Sequence, residues 1–233
     1  KKSNLGAGGG GGAPTTAQYV TLATDTTLTN ERVLTAGDGI VLTDAGAGGA
    51  LTIDADIDLV ASWDHSTDVT SIDLAIPASA LTDFAALKVV VCVRTDRASN
   101  TLEGIRVRLS TGGTYDTGTN YSRRAVEEGD TAATENNLSG DSIWIGRFAF
   151  SGAIADANVF GLAEFIVAGF GSSSIKTVLN GLAGVFASGT NYRLNRFWGM
   201  WKNAGQVDGI RFYTDQGSNM VTGSFIKIFG LRK

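Results

Sequence analysis

The sequence predicts an all-β chain: a jelly-roll-like β-sandwich head behind a short β connector and a flexible Gly-rich N-terminal arm. Three observations carry this. Short runs with alternating apolar residues recur from Ile57 to the C-terminus, the period of a strand with one buried face. The runs are separated by Gly, Asp and Asn clusters, in a chain holding 31 Gly and only 2 Pro, as turns between short strands require. No amphipathic helix of useful length is present; residues 78–86 offer the best short candidate, interrupted by Thr82 and Asp83. Eight or more short strands in one domain favour a sandwich, with the jelly roll the preferred strand order.

In chain order, residues 1–18 form the arm, which is nearly pure glycine from Gly6 to Gly12 and serves either as a bare linker or as a strand threading a partner's groove. Residues 19–56 form a β-meander connector. Its extended pieces, Arg32 to Leu34, Gly39 to Leu42 and Ala50 to Ile53, are divided by turns rich in Gly and Asp; Gly allows positive φ there and Asp bonds its own backbone. Strands this thin need another surface to pack on.

Residues 57–233 form the head. Ile72, Leu74 and Ile76 alternate with Asp73 and Ala75 until Pro77 ends the ladder. Leu87 to Val93 is apolar on both faces and suits a central strand, with Cys92 a small buried hydrophobe. Ile105, Val107 and Leu109 oppose Arg106 and Arg108. Residues 110–140 turn polar and read as a long loop carrying binding surface or contacts to neighbours. Strands resume at Asp141 to Phe150 and at Leu162 to Phe170, with Ser174 to Leu179 and Ala183 to Ala187 as weaker pieces. Tyr192, Leu194, Arg196, Trp198 and Met200 then alternate with Arg193, Asn195, Phe197, Gly199 and Trp201, before strands at Val207 to Tyr213 and Ser224 to Leu231.

The formal charge of −4 and the scattered basic residues argue against nucleic acid as partner, which calls for a basic stripe. No run of 18 apolar residues exists, so no membrane insertion as a helix is expected. The chain opens on Lys1 without Met or an apolar leader, which suggests a start inside a longer or processed polypeptide. A single Cys excludes intrachain disulfides.

The run from Tyr19 to Ile40 with Leu42 to Gly49 resembles a segment that recurs in virion proteins of tailed bacteriophages, among them tail fibres and head fibres. Gly209 to Tyr213 and Gly223 to Leu231 resemble, more loosely, the closing strands of their jelly-roll domains. The resemblance implies a virion structural protein, assembled in the host cytoplasm: a homotrimeric tail fibre or receptor-binding appendage touching host surface glycan or protein, anchored on other virion proteins through its arm. The alternative is a capsid head fibre or decoration protein with no essential receptor role; a glycan-degrading appendage is the third reading.

No enzyme, cofactor or metal is expected. His65 stands between Asp64 and Asp68, the parts of a histidine–acid base, but no nucleophile is singled out and a surface loop is the reading taken. Asp54, Asp56 and Asp58 would share one strand face, suited to a hard cation or, as preferred here, to solvent or to Arg32 or Lys88 of a neighbour. Glu127, Glu128, Asp130 and Glu135 are the acids a glycan hydrolase would draw on. The ligand-binding candidates are Tyr121, Arg123, Arg124, Tyr192 and Trp201, flat aromatic faces beside directional donors; Trp144, Trp198 and Phe212 are assigned to the core.

Overall fold

A computed structural model describes residues 19–23, 31–37, 40–46, 50–55, 57–98, 103–129, 133–149, 159–188 and 191–233. The Gly-rich arm, Asp56 and Asp130, and the side chains of Asp54 and Glu135, lie outside the described parts. The chain divides into two units, residues 1–55 and 56–233.

The first unit contains β1 (Tyr19–Thr21), β2 (Glu31–Val33), β3 (Ile40–Asp44) and β4 (Leu51–Ala55). The expected meander is instead two ribbons: β1 and β2 pair in parallel, and β3 and β4 form an antiparallel hairpin. A parallel pair cannot be closed by a tight turn, so the first two strands are no meander. The hairpin turn works as its residues suggest, with Asp44 Oδ1 accepting from Gly46 N at 2.8 Å and Gly46 at φ +85. Val33, Ile40, Leu51 and Ile53 remain exposed. This unit builds no filled core among its described residues.

The second unit is an all-β sandwich, comprising β5 (Ile57–Asp64), β6 (Ser71–Ala75), α1 (Ala78–Asp83), β7 (Phe84–Val93), β8 (Glu103–Thr111), β9 (Thr114–Tyr115), β10 (Tyr121–Gly129), β11 (Ala133–Gly140), β12 (Ile143–Ala149), β13 (Gly161–Ala168), β14 (Val178–Ser188), β15 (Asn191–Trp201), β16 (Gly209–Thr214) and β17 (Phe225–Arg232). One sheet has eight strands in the order β11-β10-β15-β14-β13-β7-β17-β5. The other has five, β12-β8-β16-β6 with β9 on β8. The first strand of the unit thus lies beside the last, and β10 of one hairpin pairs with β15 of another across nine positions of register.

Alternation decides what fills the space between the sheets. Leu87, Val89, Val91 and Val93 of β7, and Ile105, Val107 and Leu109 of β8, are wholly buried. Phe165 packs edge-on to Phe197 with centroids 5.6 Å apart and reaches Phe212 of the facing sheet at 6.4 Å. β12 lies over β10, β13, β14 and β15, and one close approach there needs glycine: a Cβ on Gly199 would sit 2.6 Å from Ile143. Burial of aromatic side chains of this size dominates such a core.

Three expectations need correction. Residues 110–140 are no long loop but the end of β8 with β9, β10 and β11; β15 supplies the ladder that their polar composition did not advertise. The two weak pieces at 174–179 and 183–187 are one strand, β14, starting at Val178. Cys92 is only half-buried, on the outward side of β7, where burial still pushes its thiol pKa up.

Candidate functional site: the outer face of the eight-stranded sheet

The two sheets present different characters to their surroundings. On the outside of the five-stranded sheet, Arg211 spans to Asp73 with Nε–Oδ1 2.6 Å and Nη2–Oδ2 2.7 Å. Arg108 pairs with Asp141 at 2.5 Å and Arg106 with Asp215. Arg108 and Arg211 also stack on Tyr213 and Tyr115 at 4.7 and 4.3 Å. The hydrogen bonds that Arg211 donates to Asp73 come first and, against the cost of burial, raise the Arg211 pKa. Every one of these cations has its partner within the chain.

The outside of the eight-stranded sheet is mixed, with exposed Leu162, Leu182, Leu194 and Trp198 set among charged and amide side chains. Register places Asn136, Arg124, Trp198, Asn180, Ile166 and Lys88 in one row across six strands. The next row is Thr134, Val126, Arg196, Leu182, Glu164 and Val90. Trp198 is 40% exposed and Leu182 47%. Two open clefts meet at the Trp198 indole: one of about 460 Å³ runs past Arg124, Asn136, Leu138 and Val178, the other of about 590 Å³ past Glu164, Leu182 and Arg196. Lys88 and Glu164 pair across the face at 2.9 Å.

The site candidates separate by strand parity. Arg124 and Tyr192 are exposed, and Arg124 lines the first cleft. Tyr121, Arg123 and Trp201 cannot meet a ligand at the surface, because they occupy inward positions of β10 and β15. Tyr121 is wholly buried, its hydroxyl accepting from Leu109 N at 2.9 Å and donating to the Asp116 carbonyl at 3.2 Å; burial pushes its phenol pKa up. Trp201 is 1% exposed and donates its indole N–H to Asp116 Oδ2 at 2.7 Å. Arg123 is nearly buried and donates to the Ser142 carbonyl at 3.0 Å.

Asp116 is therefore a structural hub. It also accepts from Asn203 Nδ2 at 2.7 Å, Asn120 Nδ2 at 3.0 Å and Gly118 N at 2.9 Å. Burial alone would raise its pKa, but the donors led by Trp201 outweigh it and the net direction is down.

Trp198, assigned to the core from sequence, is the exposed member of its pair. Residues three apart on a strand point to opposite sides, so Trp198 and Trp201 cannot both face inward; that parity was the available signal. Trp144 and Phe212 are buried as expected.

The remaining acids hold the fold. His65 bonds Asp68 at 2.8 Å and lies edge-on to Trp63, with its side chain mostly covered. Asp58 pairs with Arg232 at 2.6 Å, and Lys88 with Glu164 at 2.9 Å. Glu127 is buried against Arg193 at 2.8 Å while Glu128 is exposed on the other side of β10, so these two do not face one cleft. Among the described residues, no group of three His, Cys, Asp or Glu is placed to hold a metal.

No family model, curated protein or solved structure matches this chain. Chemically, the exposed Leu162, Leu182, Leu194 and Trp198 suit this face to covering by another surface.

Proposed function

We propose that the chain is a structural component of a tailed-bacteriophage virion, a trimeric tail fibre or receptor-binding appendage, with the 19–55 ribbons as connector and the sandwich as projecting head. The observation that carries the reading is the imbalance between the two units: a sandwich with a filled core follows, in sequence, ribbons that leave Val33, Ile40, Leu51 and Ile53 exposed. Such ribbons are marginal alone in water, and closed association of identical chains supplies the missing surface. The likeness of residues 19–49 to virion connector segments supports the same role.

We read the strand order as a jelly roll with two inserted hairpins. One half is β5-β17-β7-β13, the other β6-β16-β8-β12, and the chain alternates between them except from β8 to β12, which share a half; β10–β11 and β14–β15 are the insertions. Three heads on one trimer would gain effective concentration at a host surface, so that each contact can be weak.

The test is antibody labelling of intact particles under electron microscopy, with adsorption measured in the presence of the same antibody. Label at the tail with blocked adsorption is the expected result. Label on capsid faces with normal adsorption assigns a head fibre or decoration protein instead, and particles that never label overturn the virion reading.

A further inference from the structure

We propose that the outer face of the eight-stranded sheet is where copies of this chain meet, an inference that rests on the trimer reading above and names its surface. Four rows of outward side chains cross the sheet. The two beyond those already described run Ser122, Met200, Val178 and Ala168, and Glu128, Leu194, Gly184, Leu162, Cys92 and Phe225. Leu162, Leu182, Leu194 and Trp198 are all at least 40% exposed.

Size decides what class of partner fits. Eight strands about 4.8 Å apart span about 34 Å, and four rows about 6.8 Å apart span about 20 Å, giving a face of about 700 Å². That whole face, polar and apolar side chains together, approaches the ~800 Å² each partner contributes to a stable protein interface. A sugar or small ligand in either cleft would leave most of it wet.

Charge points to a second copy. Arg124 and Arg196 form no ion pair among the described residues, and neither does Glu128 on the same face. The face thus carries unpaired charges of both signs beside exposed Leu162, Leu182, Leu194 and Trp198, with Trp and Arg the residue types favoured at interface centres. Copies turned toward a common axis can set the Arg124 and Arg196 of one against Glu128 of the next. The five-stranded sheet, where Arg106, Arg108 and Arg211 are each paired within the chain, is left as the solvent side.

The experiment uses the full chain and two variants, Leu182→Asp and Trp198→Ala, with Arg211→Ala on the opposite face as control. Multi-angle scattering gives the mass, and Cys92, half-buried on the same face, reports its covering through its maleimide alkylation rate. Expected are a three-chain mass for the wild type and the control and, for Leu182→Asp with unchanged circular dichroism, a mass that falls on dilution where the wild type's does not, the connector being its remaining contact, with Cys92 alkylation at least tenfold faster. Trp198→Ala should weaken association by at least tenfold on dilution. A wild-type trimer whose variants keep both mass and slow alkylation overturns this inference alone. A monomeric wild type overturns it together with the trimer reading. A two-chain mass lost in Leu182→Asp supports the face while overturning the trimer.

Discussion

Replacing Trp201 with Phe tests whether the pocket around Asp116 holds the fold or waits for a ligand. The indole N–H donates to Asp116 Oδ2 at 2.7 Å from a side chain 1% exposed. A hydrogen bond to a charged group contributes about 1.5–3 kcal/mol; Asp116 is only partly covered and keeps its Asn203, Asn120 and Gly118 donors, so the lower end applies. The smaller ring adds roughly 1 kcal/mol of lost contact and residual cavity. The expected loss is about 2–3 kcal/mol, which for a sandwich of this size lowers Tm by about 4–12 °C. Urea unfolding at fixed protein concentration measures it, since association would otherwise shift the midpoint.

The same variant carries a pH signature. The Asp116 pKa is depressed in the folded chain, so the carboxylate contributes stability above its unfolded value of about 3.9, and that stability is lost as pH falls through the folded value. Removing the indole donor raises the folded pKa. The gap between wild type and Trp201→Phe is therefore widest near pH 7 and narrows below about pH 4. A gap under about 0.5 kcal/mol at pH 7, or one independent of pH, refutes the hub and leaves Trp201 a packing residue only.

Other substitutions separate packing from surface charge. Gly199→Val places a branched side chain where even a Cβ would lie 2.6 Å from Ile143; a loss of about 1–3 kcal/mol by urea unfolding is expected, partly restored by Ile143→Ala. Arg211→Met breaks both hydrogen bonds to Asp73 and the stacking on Tyr115, yet the group is solvent-facing, so the change stays within about 1 kcal/mol.

How much of this was legible in the sequence follows from where polarity and parity agree. β6 and β8 place apolar residues inward and read correctly, because burial on one face leaves a period of two. β10 alternates just as strictly, but its inward positions include Arg123 and Glu127 alongside Tyr121 and Ala125. Those charges are tolerated through the Ser142 carbonyl and the Arg193 pair, partners 19 and 66 positions away in sequence. A local window sees only a polar stretch there. The candidate site failed for a related reason: Tyr121, Arg123 and Trp201 were grouped by residue type, whereas strand parity sends them inward and sends Arg124 and Trp198 out. The parallel pairing of β1 and β2 leaves no local trace at all, since it depends on which strands meet.

The outer face owes its extent to the polar stretch that the sequence understated. Without β10, β11, β14 and β15, the sheet would be β13-β7-β17-β5, four strands wide. On the jelly-roll reading, the two inserted hairpins meet through β10 and β15 and double that width. They also bring Arg124, Leu182, Leu194 and Trp198 onto the outer face. A four-strand face would span only about 14 Å and fall well short of an interface area. The insertions also fill the core, since Tyr121, Phe197 and Trp201 are among the largest wholly buried side chains. On the proposal above they do a second thing, widening one sheet until its outer side approaches the size a second chain would cover. Since β10 takes its ladder from β15, a substitution that unpairs these two strands should weaken association before it unfolds the β5, β7, β13 and β17 half.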